Sequence, residues 1–166
     1  MKDFELVKEK IKNADYLLIG IGKHFSEDVE GDNCKKAYEM LLEAISDKNY
    51  FIITEDTSDI LEKTGFNPKR ITAPVREYQK SGSTADSNWE LYTKWIMATM
   101  NRVTCILELG VTLEQPNIIR WPFEKMATIN AKADFIRVNK KLAFLPEELV
   151  EKSISIAEYP DNLIAK

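Results

Sequence analysis

Tyr16-Leu17-Leu18-Ile19-Gly20-Ile21-Gly22 and Thr104-Cys105-Ile106-Leu107-Glu108-Leu109-Gly110 are two apolar runs that end in glycine, one in each half of the chain. A short continuous apolar run reads as a strand covered on both faces, the habit of a parallel sheet. Glycine has no Cβ, so the chain can turn sharply there and a ligand can approach bare main chain. In a nucleotide-binding sheet, such a junction offers backbone to a phosphate or ribose. Two junctions imply a crevice built from both halves.

Around these runs, strand and helix patterns alternate. Residues 3–13 put Phe4, Leu6, Val7 and Ile11 close to one helical face, and residues 34–47 do the same with Ala37, Tyr38, Leu41, Leu42 and Ile45. Tyr50-Phe51-Ile52-Ile53 reads as a buried strand, and residues 56–64 as a short helix stopped by Gly65. Residues 70–75 suggest an edge strand, because Pro74 belongs at an edge or a strand end. A helix is expected from Trp89 to Asn101, and another over residues 117–127 that Pro122 interrupts or resets. Phe135-Ile136-Arg137-Val138 and Ser153-Ile154-Ser155-Ile156 complete the strands. Alternating strands and helices call for an α/β fold: a three-layer, Rossmann-like parallel sheet with helices on both faces and the ligand at the carboxyl ends of the strands.

The 166 residues fit one domain. The formal charge of −4 argues against nucleic acid as a partner, and the lysine pairs Lys35-Lys36 and Lys140-Lys141 are too short to form a basic stripe. No apolar run reaches spanning length, so no membrane partner is expected. Residues 1–5 are too charged for a signal peptide, and the expected compartment is the cytoplasm. Cys34 and Cys105 stand far apart, outside any Cys-x-x-Cys pair, so no metal site is expected.

Four blocks carry a family resemblance. They are Trp89-Glu90-Leu91-Tyr92-Thr93-Lys94-Trp95, Leu107-Glu108-Leu109-Gly110-Val111, Ile118-Ile119-Arg120-Trp121-Pro122-Phe123-Glu124 and Ile136-Arg137-Val138-Asn139. In order and spacing they resemble the sirtuin (Sir2) family of NAD-dependent deacylases and ADP-ribosyltransferases, in a bacterial branch related to the macrodomain-linked sirtuins. The N-terminal half fits more loosely, through Ala14-Asp15 to Gly22 and Thr54 to Phe66. The resemblance implies the family's large NAD domain alone over residues 1–166. Only the linker-like residues 81–88 stand where the family carries its zinc-bearing small domain, so no zinc is expected.

The resemblance also assigns roles. Gly20, Ile21 and Gly22 would bring amides to the NAD pyrophosphate, where Lys23 adds charge to the site or blocks it by bulk. The alternative is a tight strand-to-helix turn with no ligand. In Thr54-Glu55-Asp56-Thr57-Ser58-Asp59, the family's Thr-x-Asn-x-Asp turn has become Thr54, Asp56 and Ser58. Asp56 is the candidate catalytic group, a carboxylate able to stabilise a cationic sugar. Its plainer reading, with Ser58, is a cap for the following helix. The family's histidine base has no counterpart in Ile71-Thr72-Ala73-Pro74-Val75-Arg76-Glu77, and the one histidine, His24, lies in the glycine loop.

Gly110 would lie under the adenosine half of NAD, beside Val111 and Thr112, with Thr112 bonding a phosphate or ribose. Glu108 needs an ion-pair partner, and Arg120 and Arg137 are the candidates. Asn139 would touch the adenosine ribose or simply end its strand. The expectation is therefore a domain binding NAD or ADP-ribose, a small-molecule nucleotide, with little or no catalysis. The alternatives are an active NAD glycohydrolase, ADP-ribosyltransferase or deacylase, and a non-binding scaffold whose pocket has closed around Lys23, His24 and Phe25. A homo-oligomer or partner protein stays open, since the expected edge near residues 74–88 invites pairing.

Overall fold

The structure, a computed structural model, describes residues 2–83 and 88–166. Six parallel strands stand in the order β3-β2-β1-β4-β5-β6. They are β1 (Tyr16–Ile21), β2 (Asn49–Thr54), β3 (Ile71–Thr72), β4 (Thr104–Leu109), β5 (Ala133–Val138) and β6 (Ser153–Ile156). The chain returns to the middle of the sheet at β4, so strand order reverses between β1 and β4. That reversal is the switch point at which doubly wound sheets bind ligands.

Period-two alternation sorts the side chains into two cores. Leu17, Ile19 and Ile21 of β1, with Cys105, Leu107 and Leu109 of β4, pack with Ile11 of α1 (Lys2–Asn13), Leu41 of α2 (Asp32–Ile45) and Ile164 of α7 (Pro160–Ala165). Leu18 and Ile106 point the other way, toward Trp95 of α5 (Trp89–Ala98) and Phe123 of α6 (Arg120–Ile129). The aromatic block of α5 is core: Trp95 lies 5.7 Å from Phe51 and its Nε1 donates to Asn49 Oδ1 at 2.8 Å.

Several boundaries differ from the sequence reading, each for a local reason. The expected edge strand over residues 70–75 shrinks to Ile71–Thr72, because Pro74 occupies the first turn of α4 (Pro74–Ser81). Proline suits that position, where its missing N–H has no intrahelical partner. Pro122 does not interrupt α6 either, since it too falls in a first turn. The helix expected over residues 56–64 starts only at Ile60, as α3 (Ile60–Thr64), and stops at Gly65 in the left-handed conformation (φ +117°). The C-terminal α7 had no sequence expectation. Half of the linker expected at residues 81–88, residues 84–87, lies outside the described residues; Ser81 itself closes α4 and Gly82 caps it. Among the described residues no helix is long and apolar enough to cross a membrane.

Candidate functional site

The two glycine junctions are neighbours, and they rest directly on one another. Gly22 N donates to Leu109 O at 2.9 Å, and His24 N donates to Gly110 O at 2.9 Å. A Cβ on Gly22 would lie 2.3 Å from Gly110 O, and one on Gly110 would lie 2.3 Å from His24 C. Both glycines are therefore required by backbone-on-backbone contact at the switch point, where no side chain fits. Gly20 has a different reason. It lies inside β1, and its missing Cβ leaves room for Ile119 and Phe123, 2.5 and 2.7 Å from where that atom would be.

One carboxylate ties the strand ends together. Glu55, directly after β2 and only 2% exposed, accepts from Lys23 N at 3.0 Å and from Thr112 N at 2.9 Å, both through Oε1. Its own amide donates to Ile21 O at 3.0 Å. Loops after β1, β2 and β4 thus meet at one buried oxygen. The sequence reading passed over Glu55. Its one sequence signal is a charge directly following a strand buried on both faces.

The remaining predicted residues brace this arrangement. Thr54 Oγ1 donates to Ile21 O at 3.1 Å and accepts from Asp56 N at 3.0 Å, fixing the turn after β2. Asn139 is fully buried; its Nδ2 donates to Val111 O at 2.8 Å and its Oδ1 accepts from Leu142 N at 2.9 Å. Its hydrogen bonds are thus made within the protein. Lys23 turns outward, its ammonium 2.7 Å from Glu114, and hydrogen bonding to that carboxylate raises its pKa. Phe25 stacks on Tyr38, with ring centroids 4.2 Å apart, and joins the core.

Beside these joined loops opens a hollow of about 360 Å³. Val29, Glu30, Cys34 and Tyr38 line one side; Asp56, Ser58, Asp59, Ile60 and Lys63 line the other. Asp56 does not cap α3. Its Oδ1 accepts from Thr57 N at 2.8 Å and its Oδ2 from Ser58 Oγ at 2.7 Å, which folds residues 56–58 into a turn short of the helix. Arg76 holds this wall from behind, donating to Ser58 O at 2.9 Å and to the Glu62 carboxylate. Of the predicted site residues, Asp56 faces the hollow. Gly22, Lys23, Thr54 and Thr112 meet around Glu55, while His24 does not line the hollow.

Cys34 lines the hollow as a thiol, because burial first, and the nearby Asp161 second, push its pKa up to about 11. Burial pushes the Cys105 thiol up to about 12. Neither is therefore a nucleophile at neutral pH. Native protein at pH 8 is expected to react with a maleimide or disulfide reagent far more slowly than the urea-unfolded chain. The linkage has a definite sign: above about pH 9 the unfolded thiols ionise while the folded ones do not, so stability falls toward pH 11. Rapid labelling of Cys34 in folded protein would contradict this.

The buried charges cluster on the α6 side of the sheet. Glu108 and Arg137 are register partners across β4 and β5, and the guanidinium grips the carboxylate through Nε at 2.8 Å and Nη2 at 2.9 Å. Arg120 lies 3.6 Å from Glu108, and Arg137 also donates to Glu124 at 2.8 Å. Burial disfavours the Arg137 charge, but Glu108 and Glu124 outweigh it and raise its pKa. Both arginines also hold the segment after β5, each donating to Phe144 O. The ion pair expected for Glu108 is thus formed, chiefly with Arg137.

Among the described residues no group of three or more His, Cys, Asp or Glu is placed to hold a metal ion. No family model matches the chain, and no curated protein matches it in sequence. Solved structures do match it in fold. One comes from work on the mechanism and regulation of Sir2 enzymes, with TM-score 0.60 and 10% identity over 98% of this chain and 95% of that one. Another is Sir2Tm bound to a propionylated peptide, with TM-score 0.59 and 10% identity over 99% and 96%. A third comes from work on sirtuin substrate affinity, with TM-score 0.55 and 12% identity over 99% and 98%. The chain has a sirtuin-like fold.

Proposed function

We propose that this chain is a single sirtuin-like domain that binds NAD or ADP-ribose at the carboxyl ends of its strands, with little or no turnover and without a zinc-bearing insertion. The observation that carries this reading is the hollow bordered by Asp56 and Ser58, between the segments that follow β1 and β2. Its carboxylates suit a ribose by accepting from its hydroxyls, and they suit the cationic nicotinamide ring by charge. Low turnover is expected because no histidine lines the space. Val75 lies in the first turn of α4, Arg76 is engaged with Glu62, and His24 lies outside the lining. The candidate bases that line it are carboxylates, Glu30, Asp56 and Asp59, rather than a histidine.

Asp56 also supports the second reading, an NAD-consuming enzyme. Breaking the bond between nicotinamide and ribose needs charge stabilisation more than a strong base. Calorimetric titration with NAD and ADP-ribose is expected to show binding, weakened about tenfold, or about 1.4 kcal/mol, by Asp56→Ala. Chromatography of the NAD incubation is expected to show no nicotinamide release above the rate without protein. Absence of binding by both ligands at millimolar concentration would end the nucleotide reading. Brisk release that Asp56→Ala abolishes would replace the binding domain with the enzyme.

A further inference from the structure

Backbone amides at strand ends are the donors that a doubly wound sheet presents to a phosphate. Here two of them, Lys23 N and Thr112 N, already donate to the Glu55 carboxylate, at 3.0 and 2.9 Å. The contact is built in rather than incidental. Glu55 is 2% exposed, and a Cβ on Gly22 would lie 2.7 Å from its Oε1, so the glycine loop is shaped around that oxygen. The Lys23 ammonium is turned onto Glu114 at 2.7 Å, and Glu55 is a weaker electrostatic partner to it. Lys63, in the hollow itself, pairs with Asp59 at 3.3 Å. Glu55 and its two amides lie outside the lining of the hollow, so a phosphate arriving there finds those donors taken and meets the carboxylates of Glu30 and Asp56.

We propose that Glu55 is an internal counter-anion that sets the charge selectivity of the strand-end site: it takes the place of a ligand phosphate and turns the site toward the phosphate-free, cationic end of a nucleotide. This rests on the reading given under Proposed function and narrows it, since NAD carries the favoured cationic end and ADP-ribose does not. The ribosyl-pyridinium end is what the site favours, and the diphosphate is what keeps whole NAD weakly bound. Glu55 acts here as a specificity-determining residue; it is not assigned a role in bond breaking.

The test compares wild type, Glu55→Gln and Glu55→Ala by calorimetry. Three probes are used: nicotinamide riboside, its monophosphate, and inorganic pyrophosphate. Wild type is expected to bind the riboside more tightly than the monophosphate, and pyrophosphate not measurably. Glu55→Gln keeps an acceptor for the amides while removing the charge. It is expected to gain about tenfold for the monophosphate and to acquire pyrophosphate binding, with the riboside unchanged or weaker. Glu55→Ala frees both amides and is expected to gain at least as much if its melting curve stays cooperative; the glutamine variant decides the question if it does not. Folded Glu55→Gln with no gain for either phosphate ligand would overturn the proposal. Failure of every protein to bind riboside or monophosphate would sink the nucleotide reading instead. In that case the pyrophosphate arm still decides the role of Glu55, in its favour on a gain and against it without one.

Discussion

Arg137→Leu is expected to lower the free energy of unfolding by about 3–5 kcal/mol, which consumes much of the stability of an ordinary domain. The side chain is fully buried, as is the carboxylate of Glu108 that it grips through two nitrogens. Leucine would leave Glu108 in the sheet interior with only Arg120, 3.6 Å away and outside hydrogen-bond range. An uncompensated buried charge dominates the loss; the missing bond to Phe144 O adds to it. The companion experiment replaces both register partners by leucine. Only part of the loss should return, because removing the pair together spares Glu108 but leaves the buried Arg120 without the carboxylate 3.6 Å away. Urea denaturation of the single and double variants measures both effects. A single-variant loss below about 1 kcal/mol would show that the pair matters far less than its burial implies.

Gly110→Ala is expected to destabilise by about 3 kcal/mol or more. Two independent costs coincide at this position. Its φ of +66° disfavours any residue with a Cβ, and that Cβ would lie 2.3 and 2.4 Å from the C and O atoms of His24. The atoms it meets are backbone, so relief requires the glycine loop to lift. Lifting breaks the bond from His24 N to Gly110 O and pulls Lys23 N away from Glu55. Gly82→Ala is the control: φ is also positive there, at +77°, but nothing lies within 4 Å of the added atom. That variant should lose about 1 kcal/mol. Melting temperatures and denaturant midpoints of the two variants test the contrast, and equal losses would refute the steric part.

The two glycine-ended runs locate both central strands and the switch point between them, because continuous apolar runs leave a strand few alternatives to burial on both faces. The need of Glu108 for an ionic partner is legible in the same way, since charge inside an apolar strand must be answered. Other features lie beyond local pattern. Asp56 looks like a cap when read beside a helical stretch, and only the late start of α3 shows that it does not reach one. Glu55 looks like an ordinary turn residue, because its two amide partners arrive from 32 and 57 positions away along the chain. Asn139 looks like a ribose contact by resemblance, whereas in the fold its Nδ2 clamps Val111 O.

By itself the sequence determined the parallel sheet, its two central strands and the requirement for bare backbone at their ends. These follow from composition along single segments, where burial on two faces and the absence of a Cβ act locally. The tertiary structure alone decided what the bare backbone meets. Gly22 and Gly110 are pressed against each other's loops, a glutamate fills the donors beside them, and the hollow opens toward β2 rather than over the junction itself. The physical reason is that an amide donates to whichever acceptor reaches it, and at a strand end the acceptors come from three loops at once.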